Sequence, residues 1–251
     1  MHTMTSNPHP YTADPVATQR KLSNSAIVWL ALMAYLALVK IIITFVPVVF
    51  RDVSQAQVFA WPALGIFALL SAIGLWLAAR TGFPAAWDPR LTTWQRLGLP
   101  ILIGLTYGIF EVAFDWMTGY SAYESALHNG MRANIDFPAS VLIYPGGVII
   151  VEIAYRTLFI PLLLWLISAL ALRGRGQTQT FWTLAILTSL IEPLTQDMDA
   201  WPLGIVMFLA VMAKGFGLNL IQATLFRKYG WLAAIIMRVA FYVVWHMLYV
   251  H

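Results

Sequence analysis

The sequence predicts an all-α fold, a polytopic transmembrane helical bundle of about seven spans with a cytoplasmic N-terminus. Three observations point to it. Hydrophobic residues make up 60% of the chain and charged residues 10%, apolar runs recur from Ala26 onward, and basic residues are unequally divided between alternate loops. A chain of this composition requires the lipid bilayer as its solvent, and each run of about twenty apolar residues can cross the hydrocarbon core. We expect an inner or plasma membrane protein.

The apolar runs divide the chain into a tail and one membrane domain. Residues 1–25 form a polar tail rich in Pro, Thr and Asn, and residues 26–251 form a single transmembrane helical domain. The first apolar run is too long for a cleavable signal peptide. The predicted spans are 26–50, 58–79, 97–118, 148–172, 181–196, 202–226 and 229–250.

Two of these spans carry local signals. Gly104 and Gly108 present a small-xxx-small face in the third span, which favours close approach of a neighbouring helix. Pro145 and two following glycines interrupt the apolar run before the fourth span. We therefore expect residues 138–146 to form a short interfacial or re-entrant piece and the spanning helix to begin near Val148.

The distribution of Lys and Arg sets the predicted orientation. The tail and the alternate loops contain nine such residues, and the remaining loops contain only Arg51 and Arg132. The nine are Arg20, Lys21, Arg80, Arg90, Arg96, Arg173, Arg175, Arg227 and Lys228. The positive-inside rule places the N-terminus in the cytoplasm and accounts for the net charge of +4, so nucleic acid is not an expected partner. The absence of cysteine excludes disulfides, thiolate metal ligands and a cysteine nucleophile.

Eight formal charges lie inside the predicted spans, four of each sign. They are Lys40, Glu111, Asp115, Glu152, Arg156, Glu192, Lys214 and Arg238. Each costs roughly 2.5 to 3.5 kcal/mol at mid-membrane when unpaired, so equal numbers of the two signs predict pairing inside the bundle. A shared polar interior follows.

The spacing of these residues places them on shared helix faces. Polar side chains recur at intervals of four in Glu111 and Asp115, Glu152 and Arg156, Glu192 and Gln196, and Arg238, Tyr242 and His246. With the predicted orientation, Glu152, Glu192 and His246 fall toward the outer ends of their spans. We expect a polar pocket that opens outward.

Several of these residues have structural as well as functional interpretations. Glu152 and Arg156 suit a structural ion pair and a functional pair equally. Glu111 and Asp115, two like charges one turn apart, suit proton binding, but neutralisation by Arg238 or Lys214 is the favoured interpretation. The lone lysines, Lys40 and Lys214, are expected to serve as counter-ions, and His246 as an interfacial hydrogen-bond donor in preference to a metal ligand.

Three segments in the second half of the chain resemble the CAAX-protease and bacteriocin-processing (CPBP, or Abi) family. VEIAYR at 151–156 resembles its EExxxR motif, LTSLIEPLTQ at 187–196 resembles its FxxxH helix, and residues 217–246 resemble its glycine-to-HxxxN segment. The resemblance covers roughly residues 138–250. It implies helical membrane proteins, several of them metal-dependent endopeptidases that cleave prenylated or other membrane-associated substrates with a glutamate-activated water.

The chain departs from the family at most functional positions. Val151 stands in place of the first Glu of the family motif, so only Glu152 and Arg156 match it. The FxxxH pair falls on Glu192 and Gln196, and the HxxxN pair on Arg238 and Tyr242. Valine binds no metal, and a permanent guanidinium cation opposes a divalent ion, so the usual zinc chemistry is expected to be disabled.

Three functions remain open from the sequence. The first is a CPBP-like protein with a non-proteolytic role, binding or scaffolding a membrane protein or lipidated peptide. The second is an intramembrane metalloprotease with a shifted ligand set, with Glu152 as base and Glu192 or His246 as ligand to a divalent metal such as zinc. The third is a proton-coupled small-solute carrier that uses Glu111 and Asp115. The sequence leaves enzyme activity undecided.

Overall fold

The computed structural model describes residues 15–46, 48–50, 56–128 and 134–249, and within them it contains helices and no strand. The helices are α1 (Pro15–Phe45), α2 (Trp61–Arg80), α3 (Trp94–Thr118), α4 (Tyr120–Leu127), α5 (Ala139–Ala171), α6 (Gln177–Gln196), α7 (Ile205–Tyr229) and α8 (Trp231–Leu248). A short 3₁₀ turn, Met198–Leu203, joins α6 to α7. The predicted all-α class is confirmed.

Six helices in the described part of the chain are long and apolar enough to cross a membrane: α1 from Gln19, α2, α3, α5, α7 and α8. The chain is therefore an integral membrane protein. The predicted fifth span, 181–196, lies in α6, a helix of 20 residues that does not reach the same hydropathy. Glutamine, threonine and glutamate residues along α6 lower its apolar content, although α6 packs along α7 inside the bundle.

The predicted break before the fourth span is wrong. The helix α5 runs without interruption from Ala139 and contains Pro145 in its interior. Proline removes one backbone donor, but packing on both sides holds the helix together. The Tyr35 hydroxyl of α1 donates to the Leu142 carbonyl at 2.6 Å, and Phe59 lies against Gly146. Tertiary contacts thus override a local helix-breaking signal.

The predicted glycine contact in the third span is confirmed. A Cβ added at Gly104 would overlap the Met237 carbonyl oxygen, and one added at Gly108 would lie 2.6 Å from the Val244 Cβ. The backbones of α3 and α8 therefore approach closely, as small residues permit in membrane helix pairs. This contact brings the polar face of α8 into the centre of the bundle.

One end of the bundle, the basic end, carries Arg80, Arg96, Arg175, Arg227 and Lys228. Here Gln177 of α6 donates to the Thr81 carbonyl after α2, at 2.6 Å. The helix α1 begins at Pro15, so the predicted tail is shorter than 25 residues and Lys21 is already helical. Arg51, Arg132 and residues 1–14 lie outside the described residues, and the cytoplasmic position of the N-terminus stays a prediction.

The half of the bundle beside the basic end is a packed apolar core. Phe83 stacks on Phe226 with ring centroids 4.3 Å apart and meets Phe181 edge-on at 6.0 Å. All three rings are almost completely buried, and Trp231 packs in the same cluster. The ion pairs of Glu111, Glu152 and Glu192 are not part of this cluster.

Candidate functional site

The centre of the bundle holds a network of buried charges built around Glu152. Its Oε1 accepts a hydrogen bond from Arg156 Nη1 at 2.6 Å and another from Gln222 Nε2 at 2.7 Å. Arg238 Nη1 lies 3.6 Å from the same oxygen. Glu152, Arg156 and Arg238 are each no more than 3% exposed, so these charges interact without screening by water.

Arg238 connects this network to a second carboxylate. Its Nη2 donates to Glu192 Oε1, so the guanidinium lies between Glu152 of α5 and Glu192 of α6. Two glutamates and two arginines therefore balance in charge. Since the four side chains come from α5, α6 and α8, the network joins three helices, and breaking such a buried pair is costly.

Sequence reasoning missed two uncharged members of the network. Asn219 Oδ1 accepts from Arg156 Nη2, and the Asn219 carbonyl accepts from the same nitrogen at 3.2 Å. Gln222 donates to Glu152 as described above. Asn219 and Gln222 are three residues apart on one face of α7 and both are buried. Their presence in an apolar run was the signal that the interval-of-four pattern overlooked.

Several polar atoms of the network have no hydrogen-bond partner within the described protein. They are Glu152 Oε2, Glu192 Oε2, Gln222 Oε1, and Nε and Nη1 of Arg238. A buried polar group without a partner costs about 1 to 3 kcal/mol, so native structures retain few of them outside sites that bind water or ligand. The network therefore contains both hydrogen-bond donors and hydrogen-bond acceptors without a partner in the described protein.

A cavity of about 210 Å³ lies against this network in the half of the bundle opposite the basic end. Its charged and polar lining residues are Glu111, Glu124, Glu192, Gln196, Asp197, Lys214, Asn219, Arg238 and His246, and its aromatic ones are Tyr107, Tyr120, Phe241, Tyr242 and Trp245. The structure thus brings together seven of the predicted site residues. Glu152 and Arg156 lie behind the cavity lining, and Asp115 lies outside it.

The two acidic residues of α3 have separate partners. Glu111 pairs with Lys214 of α7, which is the neutralisation that the sequence favoured, whereas Arg238 pairs elsewhere. Asp115 accepts from the Ser121 backbone N–H at 2.7 Å and from the Tyr249 hydroxyl at 2.8 Å. The two carboxylates therefore do not form a joint proton site. Lys40, on α1, belongs to none of these ion pairs.

His246 is held by aromatic rings and an amide. Its Nδ1 lies 2.5 Å from Asn134 Oδ1, its ring stacks on Tyr144 at 4.4 Å, and Tyr242 meets it edge-on at the same distance. Glu152, Glu192 and His246 were expected to converge around an open position if a shifted metal site existed. Instead Arg238 lies between the two carboxylates. Among the described residues, no group of three or more His, Asp or Glu side chains is placed to hold a metal ion.

Asp197, just beyond the end of α6, is a cavity residue that the sequence did not single out. Burial raises the pKa of its carboxyl to about 6, opposed by Lys214 and reinforced by Glu111 and Glu124. A group with this pKa changes charge near neutral pH, which makes the cavity sensitive to pH. In the sequence, the only indication that Asp197 belongs to the cavity was its position directly after Gln196, at the end of a polar helix face.

Comparison of the chain with protein-family models, with curated proteins and with solved structures finds no match. The resemblance to the CPBP family therefore stays a prediction. The function has to be inferred from the geometry of the site.

Proposed function

We propose that this chain is a CPBP-like membrane protein with a non-proteolytic role, which binds the polar group of a membrane-associated partner in the cavity. The observation that carries the proposal is the position of Arg238, whose guanidinium lies between Glu152 and Glu192. In the resemblance, Arg238 stands where the family has a histidine. A permanent cation there fills the electrostatic role of a metal without its Lewis-acid chemistry.

The residues present do not fit a catalytic divalent metal. A catalytic zinc site needs three protein ligands and an open position for water. Here Val151 and Arg238 offer no lone pair, Gln196 replaces a histidine, and the Arg238 guanidinium lies between the two carboxylates. Any cation placed between the two carboxylates would also meet the Arg238 charge at close range.

The ion network instead suits the support of a binding cavity. Glu192 and Arg238 form part of the cavity lining and pair with each other, and Arg238 also lies 3.6 Å from Glu152, which Arg156 and Gln222 orient. Preorganised polar groups of this kind bind a ligand with little further loss of conformational freedom. The lipid bilayer supplies the surroundings, and a membrane protein or a lipidated peptide is the proposed partner class.

The packing in the half of the bundle beside the basic end favours a binding function over transport. A polar path continuing from the cavity toward the basic end would favour a carrier. Beyond Arg238 the way toward the basic end is filled by the buried rings of Phe83, Phe181 and Phe226. This apolar packing gives less support to a carrier than to a binding protein.

The proposal is tested by metal content and peptide cleavage. Detergent-purified protein is chelated, reloaded with zinc and measured for metal per chain, in the wild type and in Glu192→Gln and Glu152→Gln. We expect far less than one metal ion per chain in all three and no cleavage of prenylated or unmodified peptides. Near-stoichiometric zinc that disappears in either variant, or cleavage that depends on Glu152, would overturn the non-proteolytic role.

A further inference from the structure

The basic end of the bundle carries positive charge that the described protein does not neutralise. Among the described residues, Asp88 is the one carboxylate in the loops and helix ends that form this end, and the Arg90 side chain donates to it at 2.6 and 2.9 Å. Arg80 and Arg175 are exposed, and neither forms an ion pair with a carboxylate of the described protein. Uncompensated cations of this kind attract anions from outside.

The loop between α5 and α6 brings two of these cations together. Gln177 Nε2 donates to the Thr81 carbonyl at 2.6 Å. Because Arg80 directly precedes Thr81 and Arg175 lies two residues before Gln177, both arginines flank the same contact. The Ser168 hydroxyl donates to the Arg175 carbonyl at 2.9 Å and fixes the loop on the end of α5. The positive-inside rule requires basic residues only somewhere in these loops, so it does not account for their meeting at one turn.

The end of α7 adds a third arginine at this turn. The Arg227 guanidinium lies over the rings of Phe83 and Phe181, 5.4 and 5.1 Å from their centroids. Phe83 follows Thr81 by two residues, and Phe181 lies one helical turn after Gln177. Three separate segments thus bring arginines to one place. We call this set the basic cluster: Arg80, Arg175 and Arg227.

The basic cluster lies at the depth of lipid headgroups. Arg80 ends α2 and Arg227 lies in the last turn of α7, two of the helices that can cross the membrane. The Arg80 guanidinium packs over the Trp76 ring at 3.9 Å. Trp76 and Trp182 are 38% and 40% exposed, and exposed tryptophans beside the ends of spanning helices are typical of the membrane–water interface. The anion at highest local concentration there is a lipid phosphate.

We propose that the basic cluster binds the headgroup of an anionic phospholipid, with the phosphate among the three guanidinium groups and the acyl chains in the bilayer. Guanidinium groups form bidentate, charge-assisted hydrogen bonds with phosphate oxygens. Phosphatidylcholine carries the same phosphate together with a choline cation, which the arginines repel. The inference concerns a different surface from the cavity and does not depend on the proposed function.

The first test is a comparison of two lipids on the full chain. Protein in dodecylmaltoside is titrated with dioleoylphosphatidylglycerol or with dioleoylphosphatidylcholine, and native mass spectrometry counts the lipids retained per chain. We expect one phosphatidylglycerol to be retained with about tenfold preference over phosphatidylcholine, since each basic residue contributes about fivefold. Equal retention of the two lipids would overturn the proposal.

Charge-removing variants locate the site. The double variant Arg80→Gln/Arg175→Gln should lose most of the preference for phosphatidylglycerol. The matched control is Arg90→Gln, which removes another exposed arginine from the same end, but one that Asp88 already neutralises, and it should keep the preference. Equal loss in the two proteins would show that the whole positive end attracts the lipid without a site, which contradicts the proposal.

A charge-conserving variant separates loss of binding from loss of fold. Arg80→Lys/Arg175→Lys should retain most of the preference that the glutamine variant loses, and thermal unfolding shows whether each protein is folded. A folded lysine variant that loses as much as the glutamine variant would refute charge as the cause of binding.

Inorganic phosphate distinguishes a lipid from a soluble anion. Added at the same concentration as phosphatidylglycerol, it should leave the lipid bound, because the lipid is also held by its acyl chains in the micelle. Displacement of the lipid would assign the basic cluster to a soluble phosphate compound and overturn the lipid assignment. Metal content and peptide cleavage, which test the proposed function, are independent of all these outcomes.

Discussion

Removal of the Arg238 guanidinium is the strongest perturbation of the ion network. In Arg238→Met, Glu152 keeps its hydrogen bonds from Arg156 and Gln222, but Glu192 loses the donor to its Oε1. One buried carboxylate is thus left without a counter-ion. Breaking a buried pair by removing one partner typically costs about 3 to 5 kcal/mol, and we expect a loss of stability in this range.

The double variant Arg238→Met/Glu192→Gln isolates the electrostatic part of that loss. Because the second change removes the orphaned charge, it should recover more than half of the lost stability, as replacement of whole buried pairs by neutral residues does. The assay is reversible unfolding by SDS in mixed micelles, followed by circular dichroism. A loss below about 1 kcal/mol in the single variant, or a double variant no more stable than the single one, would refute the assignment of Arg238 as the counter-ion of Glu192.

Two further predictions concern helix packing and pH. Gly104→Ala should destabilise the protein by about 1 to 3 kcal/mol, because its Cβ would overlap the α8 backbone, whereas Gly65→Ala, with nothing within 4 Å, should be neutral or stabilising in the same unfolding assay. Equal effects would argue against the close α3–α8 contact. Burial raises the pKa of Asp197 to about 6, above the unfolded value of 3.8, so the folded state binds more protons between these values. Stability should therefore fall as the pH rises from 4 to 7, by at most about 3 kcal/mol, and Asp197→Asn should flatten this dependence; an unchanged profile would contradict the assignment.

Hydropathy determined most of the fold from the sequence, because apolar run length alone identifies helices that can cross a bilayer. Six of the seven predicted spans correspond to such helices in the described part of the chain. The local signals were less decisive. Gly104 acts as predicted, because the absence of a side chain permits close approach of whichever helix lies beside it. Pro145 does not end its helix, because contacts with Tyr35 and Phe59 stabilise the helical conformation there.

The partners of the buried charges depended on three-dimensional packing. Intervals of four identified which residues share a helix face. They did not show which helix faces pack against each other. The sequence offered Arg238 and Lys214 as alternative partners for Glu111, and only the α3–α7 contact selects Lys214. Glu124 and Asp197 lie on a short helix and just after a helix end, where periodicity carries no information. Their place in the cavity follows from the approach of separate segments.

The two glutamates of the network are chemically alike but differ in their surroundings, and this difference separates stability from binding. Glu152 accepts two hydrogen bonds and does not line the cavity, whereas Glu192 accepts one, from Arg238, and lines it. In Glu192→Gln, Arg238 still has Glu152 at 3.6 Å, so its charge stays partly compensated.

Glu152→Gln should therefore lower stability more than Glu192→Gln, because it leaves Arg156 without its carboxylate. SDS unfolding of the two variants under the same conditions provides the comparison. If the two variants lose equal stability, the network acts as one undivided unit, and the assignment of Glu152 as its support is wrong.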